Sequence, residues 1–375
     1  MLCLDVKKND LLFPLYNLQS IVDKKTTMNI LNNVLLYSND QELFIEATDM
    51  EISYKNKILC NIKDQGAITI NAKKFYEIVK EFPTDEISIE ELPNLWLKIA
   101  TPDKIEYKIA GLPPEDFPRF KYINNENYIE IDPSLLRDMI EKTIFSTSSD
   151  DKKPNLSGIF LEQLKQDEKY FIRMVSSDGH RLNLVEKLID GNLLNTGEGV
   201  IIPRKGAQEI KKLAENNEKI LLGIDNKLCF IKADSEYLTI RLVDAKFPNY
   251  KTIIPEIKNK VLVLDKNYFL SALKRVTILA SDSEFNAIKL FVQNSKMKIE
   301  SMIKEIGEVY EFLDINYSGD PFEIAINAKF IINILLVMKS KNITITINNP
   351  DSPCIITGDK KDEGFLGLIM PMSIS

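Results

Sequence analysis

The stretch Ser176-Ser177-Asp178-Gly179-His180-Arg181-Leu182 holds the only histidine among 375 residues. Its residue types could do chemistry. A hydroxyl, a carboxylate and an imidazole are the parts of a hydrolase. His180 would be the base, Ser177 the nucleophile, and Asp178 or a distant carboxylate would orient the ring. The spacing speaks against this. Asp178 and His180 are near neighbours at what reads as a strand end and turn. No GxSxG elbow is present, and no second histidine exists for a metal pair. Asp-Gly-x-Arg is also a good turn sequence, with Gly179 free to take positive φ. Three readings stand at this point: a catalytic base, a structural polar turn, and the wall of a binding site.

Nothing else in the chain supplies a metal or cofactor motif. Cys3, Cys60, Cys229 and Cys354 are far apart and form no CxxC pair, so reduced, mostly buried thiols are expected, with no metal and no cofactor. The residues after Met1 show no long apolar run behind a basic segment, as a signal peptide would. No window reaches the roughly 18 apolar residues of a membrane span. A cytoplasmic location is expected. Hydrophobic residues make up 44% and charged residues 27%, which fits globular cores. The net charge of −7 argues against nucleic acid in bulk, but 48 basic residues can still share one surface.

The elements that must position the stretch are written three times. Leu11, Leu15, Leu18 and Val22 lie on one face of a helix. A second helix starts at Asp132 and Pro133 and carries Leu136, Met139 and Ile140. A third starts at Asp265 and carries Phe269, Leu273 and Val276. A further set reads as a short strand that breaks at Asn71, Pro203 or Asn327 and enters a helix. These breaks are 132 and 124 residues apart. Alternating runs between the two helices of each unit predict antiparallel hairpins, and two more strands follow the second helix. The expected architecture is α+β, three tandem units with boundaries at 1–124, 125–256 and 257–375.

Lysine and arginine recur at helix after helix: Lys7, Lys8, Lys24, Lys25, Lys73, Lys74, Arg137, Lys142, Arg204, Lys205, Lys211, Lys212, Lys274 and Arg275. Each helix alone reads as an ordinary solvated face. Together they predict a shared basic surface that would touch phosphates without reading bases.

Several motifs then carry a resemblance. They are "DGHRL", "IIPRKG" ahead of a helix, "RLVDAKFPNY", "NYSGDP" and the terminal "MPM". In this order across three repeats, the chain resembles the bacterial sliding-clamp family, the β subunits of DNA polymerase III. The resemblance implies clamp domains with sheets outside and two helices per domain inside. It implies a head-to-tail homodimeric ring of six domains around duplex DNA, held without sequence readout. It also implies docking of polymerases, a clamp loader and other factors through a short Gln/Leu-Phe peptide, and no catalysis.

Carried over by motif, "DGHRL" forms one side of the peptide groove, and its apolar pocket involves Leu156, Ser177, Gly179, His180, Arg181, Leu182, Pro248, Ile253, Leu368 and Met370. A shallower part comprises Asn327, Phe330, Pro353, Pro371 and Met372. Such side chains give a dry, adaptable pocket with a few polar groups. The sequence departs from the family at Thr252, where arginine is common, at Phe330, where tyrosine is common, and at its Ser-Ile-Ser end. The resemblance puts Lys25, Lys74, Arg137, Lys152, Lys153, Arg204 and Lys205 toward DNA. It puts Tyr107 and Ile109 of the strand 104–110 against Ile278 and Leu279, with 296–303 as the facing edge strand. A hydrolase built on Ser177 and His180, and a scaffold that binds only proteins, are the rival readings.

Overall fold

Each repeat opens with a strand that runs straight into a helix. The first contains β1 (Cys3–Lys7), α1 (Lys8–Leu18), β2 (Asn33–Asn39), β3 (Glu42–Thr48), β4 (Ile52–Leu59), β5 (Asn61–Asp64), β6 (Ala67–Asn71), α2 (Ala72–Glu81), β7 (Glu86–Leu92), β8 (Trp96–Ala100) and β9 (Glu106–Leu112). The second contains β10 (Tyr128–Ile131), α3 (Pro133–Thr143), β11 (Gly158–Gln166), β12 (Lys169–Ser177), β13 (Arg181–Ile189), β14 (Val200–Pro203), α4 (Arg204–Asn216), β15 (Ile220–Asp225), β16 (Leu228–Ala233) and β17 (Glu236–Arg241). The third contains β18 (Lys260–Asp265), α5 (Lys266–Ala280), β19 (Ala287–Gln293), β20 (Lys296–Ile303), β21 (Gly307–Asp314), β22 (Phe322–Asn327), α6 (Ala328–Val337), β23 (Asn342–Ile347), β24 (Cys354–Gly358) and β25 (Phe365–Ile369). The structure is a computed structural model and describes all residues except 23–27, 120–127, 190–193, 195, 226, 256–259, 281–285, 304–305 and 373–375.

Three of the helices start at a side-chain cap, whereas α1 follows Lys7, whose side chain makes no cap bond. Asn71 Oδ1 accepts from the Lys74 amide at 2.9 Å, Asp265 Oδ1 from the Tyr268 amide at 2.9 Å, and Asn327 Oδ1 from the Lys329 amide at 2.9 Å. The three opening helices share one register. Counted from the residue before each helix, the same four positions are buried in all three. They are Leu11, Pro14, Leu15 and Leu18 in α1, Leu136, Met139, Ile140 and Thr143 in α3, and Phe269, Ala272, Leu273 and Val276 in α5. One expectation shifts. α1 ends at Leu18, so the buried Val22 lies beyond the helix it was assigned to.

The contacts gather the chain into two compact units, each of which combines parts of more than one repeat. One comprises Met1–Pro133, Asn192–Asn195 and Lys212–Leu242. The other comprises Ser134–Gly191, Thr196–Lys211 and Val243–Ser375. Strand pairing across repeats is the cause. In the first unit a 13-stranded sheet joins repeat one to the end of repeat two, because β17 pairs with β4 and Glu236 faces Asn56. In the second unit an eight-stranded sheet runs β14-β11-β12-β13-β25-β24-β23-β18. There Arg181 faces Ile369 and Leu182 faces Leu368. The second unit also holds a four-stranded sheet, β21-β20-β19-β22.

Two further expectations are corrected. The run 296–303 is β20, an inner strand, and the edge is β21, because the β20–β21 hairpin pairs along its whole length. Three strands follow each second helix, not two. Strand β9 pairs with β8 from Glu106 to Ala110 and meets β6 only at Gly111 and Leu112. Its stretch 106–110 therefore keeps one bare edge among the described residues.

Candidate functional site

Strand β12 delivers Ser177 to a turn, and β13 leaves it at Arg181. The turn is closed by its own side chains. Asp178 Oδ1 accepts from the amides of His180 (3.0 Å) and Arg181 (3.1 Å). Its Oδ2 accepts from Arg181 Nε at 2.9 Å. Ser177 Oγ donates to the Arg181 carbonyl at 2.7 Å and accepts from the Gly179 amide at 3.1 Å. Gly179 has φ of +96°, a conformation that a Cβ disfavours. The carboxylate and hydroxyl a hydrolase would need are thus engaged in the turn, and Asp178 serves Arg181 rather than the imidazole.

Arg181 is the anchor of the site. It is 9% exposed. Its Nη2 donates to the Phe145 carbonyl at 2.6 Å, and its guanidinium lies 4.3 Å from the Phe330 ring centre. Burial pushes its pKa down, Asp178 pushes it back up, and the nearby Arg204 charge adds to the lowering, so the net shift is downward. Its Nη1 is buried with no hydrogen-bond partner among the described residues.

Beneath the turn lies an apolar cluster. Leu156, Leu182 and Leu368 are buried there with Phe160, Val175, Ile201, Phe247, Tyr250 and Ile355. These three predicted residues form a floor. The exposed positions above it are Gly179, His180, Pro248, Ile253 and Met370. The segment that carries Pro248 and Ile253 is pinned from below. Phe247 stacks on Phe160 at 4.8 Å, and the Tyr250 hydroxyl bonds Glu162 and accepts from Arg173 Nη1 at 2.7 Å. On the other side, the Met370 amide donates to the His180 carbonyl at 2.9 Å, and the Met372 amide to the Ala325 carbonyl at 2.8 Å. Asn327 caps α6, whose Phe330 covers Arg181; Pro353 leads into β24, and Pro371 is half-buried. The predicted groove residues therefore converge on one end of the eight-stranded sheet. Sequence reasoning missed Phe160, Phe247, Tyr250 and Phe145. The repeated Phe-Pro of "DFPRF" and "KFPNY" was the signal available for Phe247.

The cations expected toward DNA differ in exposure. Lys25 lies outside the described residues. Lys74 is exposed on α2 and pairs with Glu77 at 2.9 Å. Arg137 is half-buried on α3 and Lys205 half-buried on α4, whereas Lys152, Lys153 and Arg204 are exposed. Two of these border the turn: Lys153 Nζ comes within 3.8 Å of where a Cβ would stand on Gly179, and Arg204 acts on Arg181. Lys142 overturns its expectation. It is fully buried and pairs with Asp138 and Asp362, each at 2.9 Å, so it belongs to no solvated face. Of the interface residues, Ile278 is 71% and Tyr107 43% exposed, while Ile109 and Leu279 are half-buried. A cavity of about 680 Å³ lies elsewhere, in the first unit, among Asp5, Asp10, Cys60, Glu86 and Thr101.

Comparison with known proteins decides the family. Three family profiles tile the chain: the N-terminal domain of the DNA polymerase III beta subunit matches residues 2–121, its central domain 130–249, and its C-terminal domain 251–373. The chain belongs to the DNA polymerase III beta subunit family. The beta sliding clamp of Caulobacter vibrioides is 27% identical over 376 residues, covering 99% of this chain and 100% of its own. That of Haemophilus influenzae is 28% identical over 374 residues, covering 98% and 99%. The crystal structure of the Caulobacter crescentus DNA polymerase sliding clamp superposes with a TM-score of 0.93 at 28% identity, over 100% of both chains. That of the Bartonella birtlesii clamp, bound to griselimycin, gives 0.93 at 25% identity, again over 100% of both. Three tandem clamp domains and clamp function follow, in a family of non-enzymatic processivity factors of DNA replication. No helix among the described residues is long and apolar enough to cross a membrane.

Proposed function

We propose that two copies of this chain close head to tail around duplex DNA, with domains at 1–124, 125–256 and 257–375. In this reading β9 of one copy lies along β21 of the other, and Ile278 and Leu279 pack near Tyr107 and Ile109. Lys74, Arg137, Lys152, Lys153, Arg204 and Lys205 serve the phosphates without reading bases. The clamp works in the cytoplasm and docks the replicative polymerase, the clamp loader and other factors.

The docking site is the end of the eight-stranded sheet around Arg181. One observation carries this. The turn, the segment with Pro248 and Ile253, and Met370 frame one apolar floor of Leu156, Leu182 and Leu368. A Leu-Phe end would cover that floor. A glutamine amide would meet the polar atoms of His180, Arg181 and Asn327. Calorimetric titration of a Gln/Leu-Phe peptide tests it. His180→Ala is expected to weaken binding modestly, by about 1 kcal/mol. A chain ending at Ile369 is expected to bind worse, because a wall is removed. Unchanged affinity in both variants would place the peptide elsewhere.

A further inference from the structure

Each opening helix carries one side chain at the same register, ten residues after the residue that precedes the helix. It is Asn17 in α1, Lys142 in α3 and Arg275 in α5. In the first two helices this position reaches into the next repeat. Asn17 is 5% exposed and its Nδ2 donates to Glu236 Oε1 at 2.9 Å. Glu236 is the first residue of β17, and Tyr54 and Asn217 donate to the same carboxylate at 2.6 and 2.9 Å. Lys142 meets Asp362 at 2.9 Å, in the connector just before β25. Both joints inside the chain are thus sealed alike. A polar group on an opening helix meets an acid at, or just ahead of, the next repeat's last strand. Burying such groups is tolerable only because the partner is there.

Arg275 is the same position in the third repeat, and there the side chain meets its own repeat instead of another. Its side chain is 54% exposed and turns back onto Glu311 of β21. The first repeat shows the complementary surface. Ala100 faces Glu106 across β8 and β9 as Ala233 faces Glu236 across β16 and β17. Glu106 therefore occupies the place of Glu236, yet its side chain is 42% exposed and shared between Lys98 and Lys108.

We propose that Arg275 of one copy docks on Glu106 of a second copy, as a third polar joint at the register of the two internal ones. This rests on the reading of the chain as a head-to-tail pair. The chemistry fits. Nε and Nη2 of Arg275 serve Glu311, and among the described residues no hydrogen bond engages Nη1, which leaves it to another acceptor. The joint differs from its relatives in one respect. It is assembled from charges that water reaches in the separate chains, so salt opposes its formation.

The test is dimer dissociation followed by sedimentation on dilution. It compares the unmodified chain, Arg275→Glu, Glu106→Arg, the two combined, and Ile278→Ala with Leu279→Ala. Each charge reversal is expected to raise Kd about tenfold or more, and the combined variant to return within about threefold of the unmodified chain. Additive losses in the combined variant overturn the joint. If the apolar variant dissociates while the charge reversals do nothing, the pair forms through this face without Arg275, and the joint is overturned. A chain that stays monomeric at micromolar concentration removes the head-to-tail reading itself.

Discussion

Lys142 keeps its ammonium in the protein interior because two carboxylates meet it. Replacing it with Met leaves Asp138 and Asp362 close together without their shared cation. The expected loss is about 3–5 kcal/mol of unfolding free energy, read from urea titration. The same cluster sets an acid limit. Burial opposes ionisation of Asp362, but the Ser340 hydroxyl, Lys142 and the Lys339 and Ser340 amides outweigh it and hold its pKa below the ordinary range. For Asp138, burial is likewise outweighed, by Lys339 and Lys142. A carboxylate with a depressed folded pKa lends stability above its unfolded value and loses it as pH falls. The thermal midpoint should therefore drop as pH falls below about 4, and drop less steeply in Lys142→Met. Melting curves between pH 3 and pH 7 check both, and a parallel pH slope in the variant would refute the assignment. At this scale the turn at 177–181 was legible, since Asp-Gly and a single histidine stand out in any sequence. Lys142 was not. Helical periodicity shows which residues face their own sheet, and says nothing about a second repeat arriving from elsewhere in the chain.

Near its end helix α5 carries two large apolar residues, Ile278 and Leu279, that its own repeat does not bury fully. Replacing Ile278 and Leu279 with Ala should hardly change the melting of the isolated chain, because Ile278 is already mostly in water. It should shift the proposed pair toward monomer, which native mass spectrometry would show. Helix α6 makes the opposite case. Asn327→Ala removes the cap that holds the Lys329 and Phe330 amides, and should cost about 1 kcal/mol in thermal unfolding. Because Phe330 lies over Arg181, the same change should also weaken a Gln/Leu-Phe peptide. The six helices and most hairpins were readable, since their periods of 3.6 and 2 run long enough to count. The strands that open each repeat were not. They are four to six residues long, and their alternation merges into the helix that follows. The edge was misassigned because both strands of the β20–β21 hairpin alternate, and only long-range pairing decides which of them is outermost.

The whole molecule repeats one plan three times, and that was visible from the spacing of its helices. Its function as a clamp makes a prediction that no single site makes. Neutralising Arg204 and Lys205 together should shorten retention on circular DNA by the same factor for any sequence. The salt dependence should fall by about one unit of log–log slope for each phosphate that is no longer neutralised, measured across a salt series. A loss confined to one sequence would contradict it. The sequence could not show that the repeats share their sheets, because β17–β4 and β13–β25 join strands far apart in the chain. That sharing fixes the smallest fragment that can live alone. Residues 125–256 expressed by themselves would leave β13 and β17 with bare outer edges, Glu236 without Asn17, and Lys142 without Asp362. Open strands of this kind template stacking, so such a fragment should precipitate. Dissection of this chain into working parts stops short of the repeat, although the repeat is what the sequence displays.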